Sequence, residues 1–260
     1  MKTQVITPEE IKEILKRYCI GKKPLAKLLG WGETTIIRYL DGDIPSKEYS
    51  DKLILIKENP YTFYEILNQN KHYITQIAYQ KSLRALYAYV ISSKASVIVH
   101  YMKNQWEGLL PVEGFRCLLY FSQGFYLGMY GKLLFEGEYK ITDGKIPYEE
   151  LKDVILSDLI IPQELLNDRL SQREKDLLDG IVKAFRWYGY TTLYAIMIEE
   201  NDGLRISRNK LNERIISYDT IEKHFQWIIK EYLVLKPEDV WKYIDSRFAE
   251  TRKWKLLSTW

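Results

Sequence analysis

Between Ile14 and Gly32 the chain carries Lys16, Arg17, Lys22, Lys23 and Lys27, and no acidic residue at all. Cations at that density suit one kind of chemistry, the neutralisation of phosphate oxygens, which positions a nucleic acid without reading its sequence. Net charge is only +3 over 260 residues, so an anionic partner must be held by a local patch and not by overall attraction. Other chemistries lack their residues. The three histidines, His72, His100 and His224, have no metal-ligand spacing. No Gly-x-Ser-x-Gly, phosphate-binding loop or dinucleotide fingerprint is present. The paired acids Glu149-Glu150 and Glu199-Glu200 read as solvated helix faces. The expectation is a protein that is not an enzyme and takes no cofactor or metal.

The cations sit in a definable frame, because Lys22 to Gly42 reads KKPLAKLLGWGETTIIRYLDG. A helix-turn-helix needs a small residue where its two helices cross, a residue tolerant of left-handed backbone in the turn, and an apolar inner face. Ala26 and Gly30 meet the first two needs, and Leu25, Leu29, Ile36 and Tyr39 the third. The spacing predicts one helix over about Pro24 to Leu29 and the next over about Glu33 to Leu40. Around this pair, Thr7-Pro8-Glu9-Glu10 is a capping box opening a first helix with Ile11, Ile14, Leu15 and Tyr18 on its apolar stripe. Ser46 caps a fourth helix halted near Asn59-Pro60, and a fifth follows over about Tyr61 to Asn68.

That constellation resembles the helix-turn-helix of the XRE (Cro/repressor-like) family. More narrowly, GWGETTIIRYLDG is similar to the GWGE-x-T-x-x-R-Y-x-x-G stretch of MqsA-type antitoxins. The resemblance covers Thr7 to His72 and implies that the start of the second helix enters a major groove. It implies that Gly32, Glu33, Thr34, Ile37 and Arg38 face outward there, with Thr35 beside them. Arg38 would then contact guanine in bidentate fashion, Thr34 and Ile37 would meet thymine methyls, and Glu33 would accept from cytosine. Lys22, Lys23 and Lys27 would contact phosphate. Operator DNA and, by analogy, a homodimer are the implied partners.

From Tyr73 the pattern changes. A helix over about Gln76 to Ile91 is expected to link the first domain to a larger one, and another covers about Ser96 to Asn104. Phe115 to Leu127 is apolar on nearly every side, as a helix at the centre of a domain would be. Gly131 and the segment Leu133 to Ile146 read as a turn with short extended pieces. Ser171 with Glu174 makes a second capping box, Asp219 starts a further helix, and Pro237 opens the last, ending near Phe248. Trp187, Tyr188, Tyr190 and Tyr194 cluster around Gly189 and are expected to pack into the core. The expected architecture is mainly α: a small five-helix helix-turn-helix domain (residues 1–72), a linking helix (73–95), a larger helical domain with a short β-hairpin or extended segment (96–250), and a basic aromatic tail (251–260).

The larger domain resembles the Panacea (SocA-like) antitoxin domain through Cys117-Leu118-Leu119-Tyr120-Phe121-Ser122-Gln123-Gly124-Phe125-Tyr126-Leu127 and Gly131-Lys132-Leu133-Leu134-Phe135. The family's next segment is represented here by Glu138 to Leu151, without its usual Trp and Gly-Pro pair. The resemblance implies an antitoxin of a type II toxin–antitoxin system, which neutralises a cognate toxin protein by direct binding and represses its own operon. The competing expectation is a phage or prophage regulator whose second domain senses a signal or oligomerises. Twenty-one tyrosines and seven tryptophans suit a protein-binding surface, although no residue is assigned to it. Cys19 and Cys117 lie in apolar helical patterns with no framework spacing, and no apolar run approaches a membrane span. The chain is expected in the cytoplasm and off the membrane.

Overall fold

The computed structural model describes residues 5–140 and 146–257, with the backbone alone for 251–257. The chain is mainly α. Among the described residues fourteen α-helices accompany one three-stranded sheet. Packing divides them into two units, one running through Ser93 with Ser157–Leu159, the other holding the remainder from Lys94.

The smaller unit comprises α1 (Pro8–Arg17), α2 (Lys22–Leu28), α3 (Thr35–Leu40), α4 (Lys47–Glu58), α5 (Pro60–Gln69) and α6 (Gln76–Val90). The Thr7/Glu10 capping box forms, and Lys57 of α4 reaches Glu10 at 2.7 Å. That lysine hydrogen bond, with the Thr7 amide, holds the Glu10 pKa below the ordinary carboxylate value. Tyr18 closes α1 and stacks on Phe63 at 3.8 Å, while its hydroxyl donates to the Ile56 carbonyl. Burial pushes the Tyr18 phenol up to about 12. The boundary falls after Ser93, so α6 packs on α1 and α5 inside this unit and is not a free-standing link. Its stripe of Ser82, Leu86 and Val90 is buried there. Cys19 departs from the apolar helical position expected of it. It follows α1 at φ 47° with its side chain exposed.

The larger unit is built on α8 (Val112–Tyr130), in which every residue from Gly114 to Leu127 is buried. A helix apolar all round must be enclosed on all sides. Here α7 (Lys94–Gln105), α9 (Lys152–Leu156) and α10 (Gln163–Asn167) complete one part of the unit, while α11 (Gln172–Phe185), α12 (Tyr190–Asn201) and α13 (Tyr218–Glu231) cover α8 itself. Gly124 and Gly128 let α13 lie close, since a Cβ on Gly124 would stand 2.2 Å from the Phe225 ring. Gln123 is buried and hydrogen-bonded at both ends of its amide: the nitrogen donates to the Phe135 carbonyl, and the oxygen accepts from the Leu134 and Phe135 amides. Gln123 therefore ties α8 to the Leu-Leu-Phe turn, while the adjacent Gly124 admits α13. Arg116, also buried, donates to the Ile146 and Pro147 carbonyls and pairs with Glu149. Burial pushes the Cys117 thiol up to about 12.

The sheet departs from expectation. Strand β1 (Tyr139–Lys140) falls in the extended segment foreseen, residues 141–145 of which lie outside the described residues. Strands β2 (Ile206–Arg208) and β3 (Arg214–Ile216) form a hairpin that no alternation announced, and β3 takes the centre of an antiparallel β1-β3-β2 order. Its turn is held by Asn209, whose side-chain oxygen accepts from the Leu211 and Glu213 amides at 3.0 Å. Three further expectations need correction. Ser217, not Asp219, caps α13. Pro237 opens a 3-10 turn before α14, which spans Val240–Leu257 and so takes in the start of the expected tail; 258–260, with Trp260, lie outside the described residues. Trp187 is not core: α11 ends at Phe185, and the ring stands 81% exposed on the turn that follows.

Candidate nucleic-acid interface

The pair α2–α3 forms because its turn is closed by backbone alone. Gly30 adopts φ 72°, and the Trp31 amide reaches back to the Ala26 carbonyl at 2.8 Å, so the residue after α2 must tolerate the left-handed region. Trp31 then stacks on Tyr49 of α4 at 4.1 Å. Ala26, Leu25, Leu29, Ile36 and Tyr39 are buried, as the inner face requires. The α3 C-terminus repeats the device, with Gly42 at φ 111° and the Asp43 amide bonded to the Arg38 carbonyl at 3.0 Å.

Helix α3 is shorter than its spacing suggests. It starts at Thr35, leaving Glu33 and Thr34 in the turn. Six residues span only about 9 Å. With Ile36 and Tyr39 turned inward, Thr34 and Arg38 are the exposed positions one turn apart, and Thr35 and Ile37 are half-buried at their sides. On α2, Lys22, Lys23 and Lys27 are exposed. Arg17 is not part of this cationic surface: it pairs with Glu13, donates to the Lys57 carbonyl and lies 4.6 Å over the Tyr89 ring.

Two ion pairs organise the exposed side chains. Glu33 reaches Lys27 at 3.0 Å and Lys23 at 3.4 Å, and these lysines, Lys27 foremost, hold its pKa below the ordinary value. The carboxylate thus occupies two of the three predicted phosphate contacts. Arg38 donates from Nε to Asp43 at 2.7 Å, and that hydrogen bond raises the guanidinium pKa. A bond at Nε leaves the terminal nitrogens as the leading edge of the fork, the edge that guanine recognition uses. Asp43 was not among the sequence-predicted residues. Five positions separate it from Arg38, and only the left-handed Gly42 folds it back onto the arginine.

Among the described residues no group of three or more His, Cys, Asp or Glu could hold a metal ion, and no helix is long and apolar enough to cross a membrane. No family model, curated protein or solved structure matches the chain.

Proposed function

We propose that the chain is a DNA-binding antitoxin, whose smaller unit reads an operator through α3 and whose larger unit holds a toxin protein. The observation that carries the DNA half is the Gly30-closed pair α2–α3. It presents Thr34 and a carboxylate-oriented Arg38 outward, beside Lys22, Lys23 and Lys27. The protein-holding half is supported by the enclosed α8 with its Gln123-pinned turn, in the stretch that resembles Panacea domains. In the proposed dimer two α3 helices meet half-sites about 34 Å apart.

Co-expression tests the proposal directly. A neighbouring gene product should be toxic alone and harmless with the full chain, and the chain should shift a duplex carrying its own upstream region. If no neighbour is both toxic and rescued while the duplex still shifts, the antitoxin half fails and a transcription regulator without a toxin remains.

Side chains on the DNA face have separable effects. Arg38→Ala is expected to cost about 1–3 kcal/mol on the specific site and relax preference at one base position, whereas Lys23→Ala weakens all sequences alike. Quantitative footprinting over single-base operator variants would read the difference, and equal losses on specific and random duplex would remove Arg38 from the groove. Glu33→Gln should act in the opposite direction. Releasing Lys23 and Lys27 raises affinity for random DNA and steepens the salt dependence by about 0.9 for each additional phosphate neutralised. An unchanged slope in a salt titration would show that Glu33 does not withhold them.

A further inference from the structure

The larger unit carries a groove of about 760 Å³ between α11 and the residues that open α14. Trp187 and Trp241 stand on it, 81% and 50% exposed. The turn leading into it, after α13, is apolar at some conformational cost. Leu233 sits at φ 52°, the position after a helix where glycine is the usual residue, with the Val234 amide bonded back to the Ile229 carbonyl. Its side chain is nonetheless exposed, as is that of Leu235, the residue before groove-lining Lys236. Two large exposed aromatic rings on one groove mark a surface that another molecule covers.

Charge decides what covers it. Asp176, Asp179, Glu238, Asp239 and Asp245 line the groove against Lys183 and Lys236. Among the described residues only Asp239 of these acids has a cationic partner within ion-pair distance, Lys242 at 2.8 Å. Asp179 and Asp245 accept from the hydroxyls of Tyr101 and Tyr188, which orients the carboxylates without neutralising them. A surface of this sign repels nucleic acid. Tryptophan beside carboxylates suits a guanidinium or ammonium group, by cation–π attraction from the ring and charge-assisted hydrogen bonds from the acids. Trp187 already has the Arg186 guanidinium 5.7 Å from its ring centroid. We infer that this groove binds a protein segment in which arginine or lysine stands next to an apolar side chain. The inference deepens the protein-holding role proposed above by giving that partner a chemistry.

Selection of a random dodecapeptide display library on the immobilised full chain tests it without requiring the partner's identity. Enriched peptides should combine Arg or Lys with aliphatic or aromatic residues. Their affinity should fall at least tenfold on Trp187→Ala and on Asp176→Asn, and remain unchanged on Leu211→Ala, an exposed residue of the β2–β3 turn that does not line the groove. Enrichment of acidic or uncharged peptides, or equal binding by Trp187→Ala, overturns the inference. So does a concentration-dependent dimer in sedimentation that Trp187→Ala abolishes, because the groove would then be filled by a second copy. Rescue by the full chain with none of the peptide results would leave the antitoxin role standing and this groove excluded from it.

Discussion

Gly124→Ala is expected to lower the melting temperature of the protein by roughly 4–8 °C, although alanine is the better helix former. Helix propensity alone would favour alanine by about 1 kcal/mol. The new Cβ would meet Phe225 at 2.2 Å, and that ring has no room to yield. It is fully buried, with the Phe125 and Tyr120 rings 5.1 and 5.5 Å away. Overpacking of this kind costs about 3 kcal/mol, so the net loss is about 2 kcal/mol, and for a chain of this size each kcal/mol moves the midpoint about 2–4 °C. Gly189→Ala is the control, since nothing lies within 4 Å of its Cβ and its φ is −72°; the loss there should stay below about 1 kcal/mol. Thermal denaturation followed by circular dichroism compares the two. A Gly124→Ala protein as stable as the parent would mean that α8 and α13 are not in the close contact described. The glycine in the Gln-Gly-Phe-Tyr-Leu stretch is therefore explained by helix packing.

Glu200→Ala should cost about 3 kcal/mol and change how stability responds to acid. Glu200 lies on α12 with its side chain 4% exposed. It accepts from His224 at 2.8 Å and from Tyr243 at 3.1 Å, and forms an ion pair with Arg247, whose Nε lies 2.7 Å away. Removing the acid strands these groups, the mechanism by which broken buried pairs cost about 3–5 kcal/mol. The lower end applies because Arg247 keeps Glu199 and Glu250. Burial by itself would raise the Glu200 pKa, but the His224 hydrogen bond and the Arg247 charge outweigh it, and the folded value lies below the ordinary one. A carboxylate depressed in the folded state contributes stability in full above its unfolded pKa, about 4.3, and loses it as pH falls through the folded value. Glu200→Gln removes the titration and should flatten the acid limb of the stability curve below about pH 4.5. Urea denaturation from about pH 3 to 7 would measure it. Parallel curves for parent and Glu200→Gln would show that the ionised acid is not what holds α12, α13 and α14 together.

Local signals were legible in the sequence wherever a few neighbouring residues suffice. The two capping boxes, the Ser46 cap, the Gly30 turn and the apolar identity of α8 all formed as read, because each depends on interactions within one or two helical turns. Several helix ends shifted for the same reason. The Thr34 side chain makes no cap hydrogen bond, so nothing local starts α3 before Thr35. The hairpin Ile206–Ile216 escaped notice because strands of three residues show no alternation, and their pairing with Tyr139 spans a long sequence separation.

For the candidate sites the division is sharper. The sequence and its resemblance are enough to name the residues that the proposal places on DNA: Lys22, Lys23 and Lys27 on one helix, Thr34 and Arg38 around the next. Only tertiary structure decided their state. Gly42 bends Asp43 back to hold Arg38, Glu33 folds over Lys23 and Lys27, and Arg17 is drawn inward to Glu13 and Tyr89. Ion pairs depend on distances of about 3–4 Å between side chains whose separation along the chain says little about them. The tryptophan groove is wholly of this kind. Trp187 and Trp241 are far apart in sequence, and Trp187 reads as core until the structure brings both onto one acidic surface.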